Sequence, residues 1–409
     1  MNLAHNDPIP DHVPENLIER EFPLIGSTIT TEDPYARIIP DACEGPDIAF
    51  VPHMRPDGGH AWILRRHQDI RNVYDDTEHF SNKGFSSLAK VVGEHWQLIP
   101  AEQDPPEHTF YRQLLNPIFS PGAMAKMEDV VRDAARECLE GMADRNECEF
   151  IQEFSFPFPV GVFLDLVGLP KERMPDFQRW ANSIIQSNGD IAKVQYGVRE
   201  AANYLRQVIE ERKAEPGDDL ISFAIRADVN GRKMNDEELL GYAFNFFIGG
   251  LDTVTAHINN FMRHLANHPQ QQRELRENPD KIRMAVEELM RAFAAVTTYR
   301  TCKKETQLCG TTIREGDQVA MITTLAGRDG EAFENPHEVI LDRNPKHVSF
   351  ATGPHHCLGV HLARRELRIA LEEILKTLPE FRLKEGVPIE SQAGIIIQPR
   401  NLPLVWSSY

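Results

Sequence analysis

Basic residues are scarce relative to acids. The chain has 409 residues with 44 Lys+Arg against 62 Asp+Glu, a formal net charge of −18. That deficit disfavours nucleic acid, whose phosphates basic side chains must neutralise. It equally disfavours docking on an anionic membrane surface. A partner that reads one local patch stays compatible with it. Cysteine is also sparse. Cys43, Cys138, Cys148, Cys302, Cys309 and Cys357 are irregularly spaced and do not read as a secreted disulfide framework. No stretch reaches the ~20 apolar residues of a membrane span. The best run, Tyr242 to Leu251, contains Asn245. The opening Met1-Asn2-Leu3-Ala4-His5-Asn6-Asp7 lacks the apolar region of a secretory signal. The expectation is a soluble cytoplasmic protein. What is present, 41% apolar and 26% charged residues, is enough for a real core.

The first fifty residues hold ten acids and two arginines, so −8 of the −18 sits there. Prolines at 8, 10, 14, 23, 34, 40 and 46 work against long helices. Residues 1–47 read as an acidic, Pro-rich arm that packs on the body through Leu24, Ile25, Ile38 and Ile39. Ile48-Ala49-Phe50-Val51 and His60-Ala61-Trp62-Ile63-Leu64 flank Pro56-Asp57-Gly58-Gly59, a hairpin signal. From about residue 105 to 300 helical periodicity dominates. Ser120-Pro121 starts one helix, with Met127, Val130, Val131 and Ala134 on one face. Asn278-Pro279 starts another. Strands return at Gln318 to Ile322 and at Gly394 to Ile397, and a last helix runs near Leu358 to Leu378. The expected class is mainly α with minor β, an α+β fold.

Four segments carry candidate chemistry. In Phe350-Ala351-Thr352-Gly353-Pro354-His355-His356-Cys357-Leu358-Gly359, one cysteine lies between a Gly/Pro-rich loop and a helix start. A helix N-terminus favours thiolate, which is a nucleophile or a metal ligand. A buried free cysteine, or zinc with His355, His356 or His361, are the alternatives; the paired spacing of common zinc sites is missing. Second, Asn235 to Asn267 reads as one helix of about 32 residues, ~48 Å long. It is apolar on nearly all sides, then interrupted by Gly249-Gly250 and Asp252-Thr253. A buried acid there is costly without a purpose or partner. Third, Glu288 and Arg291 share a helix face at i,i+3. Fourth, His108 and Arg112 share a face at i,i+4 and could hold an anion such as a carboxylate.

Jointly these residues resemble a soluble bacterial cytochrome P-450, the haem-thiolate monooxygenase family. Phe350, Gly353, His355, Cys357 and Gly359 match the family's Phe-x-x-Gly-x-His-x-Cys-x-Gly pattern at every fixed position. Gly249-Gly250-Leu251-Asp252-Thr253 matches its oxygen-binding helix. Glu288-x-x-Arg291 matches its Glu/Arg pair. Gly327-Arg328-Asp329, with Phe333 and Pro336, resembles the stretch before the cysteine. Gly249 to Val254, His361-Leu362-Ala363-Arg364-Arg365-Glu366 and Leu402-Pro403-Leu404-Val405-Trp406 look like the camphor-hydroxylating branch.

The resemblance implies one haem-centred domain over residues 1–409. It implies haem b (iron protoporphyrin IX), with Cys357 as axial thiolate. Asp252 and Thr253 would deliver protons, and Gly249 and Gly250 would open space for oxygen. His108, Arg112, Arg300 and His355 would bind the haem propionates; Phe350 and Gly359 would pack beside the thiolate and ring. Glu288 and Arg291 would be structural. The implied partners are O2, a hydrophobic substrate, and a [2Fe-2S] ferredoxin with an NADH-dependent ferredoxin reductase. Arg343, Lys346, Arg364, Arg365 and Arg368, with only Asp342 and Glu366 among them, suggest a basic dock for that donor.

The pocket departs from the camphor branch. Trp96 stands where that branch has a tyrosine for the camphor ketone. Asn245 and Ala295 replace apolar residues, and Thr298 replaces an acid near a propionate. These changes point to another terpenoid or norisoprenoid-like molecule lying against Trp96, Asn245, Ile248, Val296 and Ile396. The rival readings are a peroxide-using peroxygenase, a non-catalytic haem-thiolate ligand sensor, and a cysteine hydrolase using Cys357 with His355 or His361.

Overall fold

The central segment folds as two helices rather than one. In a computed structural model describing residues 8–24, 27–187 and 189–407, helix Asp236–Leu251 stops at Asp252, where φ is −128° and ψ −31°. Helix Thr253–Asn267 starts directly after it. The continuous helix expected from the sequence is therefore broken at the acid, just past two glycines that weaken helical propensity. The start is as expected. Asn235 accepts from the Glu238 backbone N–H while the Glu238 carboxylate accepts from that of Asn235, a reciprocal cap. Tyr242, Phe244, Phe246 and Phe247 are all buried, so the first helix crosses the interior.

Helix Pro157–Val167 packs on the first of this pair and helix Val360–Thr377 on the second, and helix Ile282–Ala292 packs in turn on Val360–Thr377. Ser120 caps a short helix, Pro121–Ala125, by accepting from Ala123 N–H. The chain turns at Lys126 and Met127 before helix Glu128–Leu139. That break rotates the buried face to Val131, Ala135 and Leu139, leaving Val130 48% exposed. The face expected across 127–134 is corrected accordingly.

Strands Ile48–Val51 and Ala61–Leu64 form the anticipated antiparallel hairpin. They continue into a five-stranded sheet through Gln318–Ile322, Thr297–Cys302 and Phe80–Ser81, in that spatial order. Strand Ser391–Gly394 ends earlier than expected. Ile395 to Ile397 contribute one isolated bridge, Val296 to Ile396, before the short strand Gln398–Pro399.

The N-terminal region is less irregular than its prolines suggest. Helix Pro34–Cys43 places Pro34 at its first position, where no N–H is needed, and has Asp33 as its cap. Strand Ser27–Thr30 pairs with Ser391–Gly394. Leu24 and Ile39 are buried, and Arg65 ties Glu19 to the body at 2.6 Å. Ile25 lies outside the described residues. The architecture is mainly α with minor β. Among the described residues, no helix is long and apolar enough to cross a membrane.

Candidate active site

The cysteine loop is pinned at both ends. Ser349 Oγ donates to the Met290 carbonyl at 2.8 Å, and Thr352 Oγ1 to Asp75 at 2.7 Å. Gly353 adopts φ +69°, and the Tyr74 carbonyl lies 2.7 Å from where a Cβ would stand, so only glycine fits. The Cys357 N–H donates to the Phe350 carbonyl at 2.9 Å. The Phe350 ring in turn lies under the Arg364 guanidinium, 4.9 Å from its centroid. The expected lowering of the thiol pKa is not what the surroundings produce. Burial raises it, and the Gly359 N–H, Arg112 and Arg364 offset that only in part. Burial of this kind works against a free nucleophilic thiolate, whereas a bound metal cation would favour the thiolate.

Thr253 and Cys357 line one cavity of about 220 Å³, with Gly249, Gly250, Asn245, Gly359 and Glu366 also on its wall. An added Cβ at Gly249 or Gly359 would meet nothing within 4 Å. At Gly250 it would strike the Phe163 ring at 2.5 Å. The two glycines thus differ. Gly249 leaves open space, whereas Gly250 lets helix Pro157–Val167 approach closely. Thr253 Oγ1 donates to the Gly249 carbonyl at 3.3 Å. Asp252 is 7% exposed and turns its carboxylate toward Gln398, whose Nε2 donates to both oxygens at 2.9 Å. Burial lifts its pKa to about 6.

A second cavity of about 230 Å³ shares Asn245 and Leu358 with the first. His108, Arg112, Arg300 and His355 all line it. The His108 and His355 rings lie 4.0 Å apart. Burial holds His108 down to about 4; burial and the neighbouring His108, Arg300 and Arg112 hold His355 down to about 2. Burial also lowers Arg112 and Arg300. His355 Nε2 is buried without a hydrogen-bond partner. Arg300 donates to the Tyr299 carbonyl, and Arg112 to the His356 carbonyl and Asn116. Among the described residues, neither arginine is in an ion pair. Two desolvated guanidiniums with no carboxylate of their own fit an anion that the chain does not supply.

Glu288 and Arg291 are both fully buried and bidentate, at 2.7 and 2.8 Å. Arg291 also donates to the carbonyls of Gly327, Pro336 and Glu338, while Glu288 accepts from Ile340 N–H and Arg343. The pair clamps the 327–343 segment that leads into the cysteine loop.

The proposed substrate contacts are not all brought together. Asn245 borders both cavities. Trp96 does not line them. Its ring lies tilted against Phe244 at 4.7 Å, its indole N–H donates to Glu94, and it borders a separate cavity beside Tyr111 and Glu238. Val296 and Ile396 are bridge partners, and Ile396 packs with Ala256 and Ala295. Ile248 is half-buried against the main core.

Three residues escaped the sequence reading. Gln398 left no signal, since nothing in its neighbourhood foretells contact with residue 252. Arg343 reads as a surface base. Glu366 did leave one: it shares an i, i+4, i+8 face with Ala370 and Ile374, and all three are buried. It has no partner among the described residues, and burial raises its pKa well above the usual carboxylate range.

Haem b fits these residues. An isolated thiol, open glycine-lined space and an unpartnered cationic cluster match an iron, a flat ring and two carboxylates. Among the described residues, no group of three or more His, Cys, Asp and Glu converges to hold a metal by itself, so the zinc alternative finds no ligand set. The family model for cytochrome P450 matches residues 164–404. A protein described as probable cytochrome P450 127A1, from Sinorhizobium fredii, is 35% identical over 407 residues, covering 98% of this chain and 97% of its own. The crystal structures of CYP101J2 and of cytochrome P450 CYP101C1 are each 30% identical over 98% of this chain. They are covered over 99% and 100% of their lengths, with TM-scores of 0.83 and 0.82. The chain belongs to the cytochrome P450 family. It is a haem b monooxygenase, an oxidoreductase that takes O2, electrons from a redox partner and a hydrophobic substrate.

Proposed function

We propose that this enzyme hydroxylates an unactivated C–H bond of a small terpenoid or norisoprenoid-like substrate. Its two electrons would come from a [2Fe-2S] ferredoxin reduced by an NADH-dependent reductase. The observation that carries the reading is the shared cavity, where Thr253 and Gly249 face Cys357 and Gly359 beneath an apolar wall of Phe119, Phe163 and Phe246. Cys357 would hold the iron as thiolate. His108, Arg112, Arg300 and His355 would hold the propionates by charge-assisted hydrogen bonds. When bound, haem b supplies dioxygen activation and the oxidising power for the C–H bond. Asp252 would release a proton, and Thr253 Oγ1 would leave the Gly249 carbonyl to orient the water that carries it. The phenylalanine wall excludes bulk water. Asn245 offers one amide to a ketone, with Phe246 and Val254 of the same cavity as apolar contacts.

This reading carries one haem-centred domain over residues 1–409, in which residues 108, 112, 253, 300, 355 and 357 would serve one site. The test has two stages. Carbon monoxide added to the reduced protein gives the red-shifted haem-thiolate band; a correctly folded sample without it overturns the cofactor assignment. Substrate-induced spectral shifts and NADH- and ferredoxin-dependent products are then measured across cyclic terpenoid ketones. Tight camphor binding with no response to larger ketones overturns the substrate class. Product formed from peroxide alone, with none from NADH and ferredoxin, overturns the electron route.

A further inference from the structure

Asp252 occupies an unusual position for a helix-break acid. It stands at the N-cap of helix Thr253–Asn267, yet its side chain caps no backbone N–H. A carboxylate at an N-cap normally takes that bond. Here both oxygens are turned aside onto the single Nε2 of Gln398. Gln398 is 2% exposed and cannot swing freely. Its strand is held in register against Gln392, and Gln392 lies in a strand that pairs with residues 27–30.

No cation reaches Asp252 among the described residues. Burial and the Gln398 hydrogen bond are the two influences resolved on the carboxyl. His257 and Arg263 on its own helix, and Glu366 and Glu373 on helix Val360–Thr377, are also buried, but the carboxyl's hydrogen-bond partner among the described residues is Gln398. An arginine or lysine in place of the amide would fix the carboxylate equally well, but would also keep it ionised. An amide fixes orientation without that charge. Burial therefore dominates and pushes the carboxyl up to about 6, toward the range in which a group can both give and take a proton near neutrality.

We propose that Gln398 is a positioning residue for proton delivery, holding Asp252 in a buried, cation-free setting where the acid stays exchangeable. This rests on the reading of Asp252 as a proton carrier. Gln398 touches no reacting atom and acts through the carboxyl alone.

Infrared difference spectra across a pH titration of the ferric holoenzyme report the Asp252 carboxyl, identified as the band lost in Asp252→Asn. Gln398→Lys is expected to lower its midpoint by about one unit or more, as an adjacent cation does. Gln398→Met, which keeps length and removes the donor, is expected to raise it. A purely structural glutamine would lower stability and leave the midpoint in place, which overturns the proposal. Peroxide released per NADH, with an alicyclic terpenoid ketone as test substrate, separates the two readings. Unchanged peroxide in Asp252→Asn overturns the proton-carrier reading itself. Raised peroxide in Asp252→Asn, with unmoved midpoints in both Gln398 variants, overturns the glutamine's role alone.

Discussion

Thr253 and Asp252 are adjacent in sequence but face different partners, and their substitutions should separate. Thr253→Ala removes a hydroxyl that lines the cavity and donates only to the Gly249 carbonyl. The variant should retain haem and substrate-induced spectral shifts while diverting electrons to peroxide. NADH, peroxide and product measured together check this; unchanged coupling removes Thr253 from the mechanism. Asp252 carries a stability signature as well. Burial pushes its pKa up to about 6 in the fold, above the ordinary aspartate value of 3.8. Ionising it in the fold is unfavourable, so it costs nothing below the unfolded pKa. The cost grows as pH rises toward 6 and is complete above it. That cost is on the order of 3 kcal/mol. Asp252→Asn should therefore stabilise the protein more at pH 8 than at pH 4, by denaturant midpoint. Arg300→Leu deletes one of the buried unpaired guanidiniums. Loss of its charge-assisted bonds, ~1.5–3 kcal/mol, should weaken haem retention roughly 10- to 100-fold, read as haem transfer to apomyoglobin.

At the scale of elements, the two glycines before the helix break give a paired test. Gly250→Ala drives a methyl into Phe163 and should cost ~1–3 kcal/mol by overpacking. Gly249→Ala meets open space and should fold normally, changing the haem and substrate spectra instead. Equal destabilisation of both would contradict the asymmetry. The Glu288–Arg291 clamp is a different case. As an exposed i,i+3 pair it would contribute only a few tenths of a kcal/mol. Both residues are fully buried, and together they bind the segment before the cysteine loop. Arg291→Ala leaves a buried carboxylate unpaired and should cost ~3–5 kcal/mol, with loss of haem from the soluble fraction.

Across the whole molecule, charge reads differently once pairs are known. Arg364 binds Glu287, Arg365 and Arg368 bind Glu128, and Arg343 binds Glu288. Glu128 also takes Arg132, so much of the basic run near the cysteine holds helices together. Lys346 is exposed and in no ion pair among the described residues. Lys346→Glu should raise the KM for an acidic ferredoxin several-fold at low salt, with kcat at saturation unchanged. The difference should vanish as ionic strength rises. An unaltered KM would exclude Lys346 from the donor's footprint.

The reaction class was legible in the chain because the cysteine loop, the glycine pair and the Asp252-Thr253 pair proposed for proton delivery are local patterns. Phe350 to Gly359, Gly249 to Thr253 and Glu288 to Arg291 each carry their signal within ten residues. The helical class and the hairpin at 48–64 were legible for the same reason, since periodicity and turn residues are short-range. What needed the tertiary structure is everything that depends on who stands opposite. The Asp252 carboxyl meets a strand almost 150 residues away, and Gly250 meets Phe163 from another helix. Trp96 sits outside the central cavities, and the arginines after Cys357 are spent on acids of distant helices. The sequence alone determined which reaction the protein is equipped for, because the reacting groups are written as contiguous motifs. Only the fold decided how acidic, how open and how exposed those groups are, because burial and long-range partners set those properties.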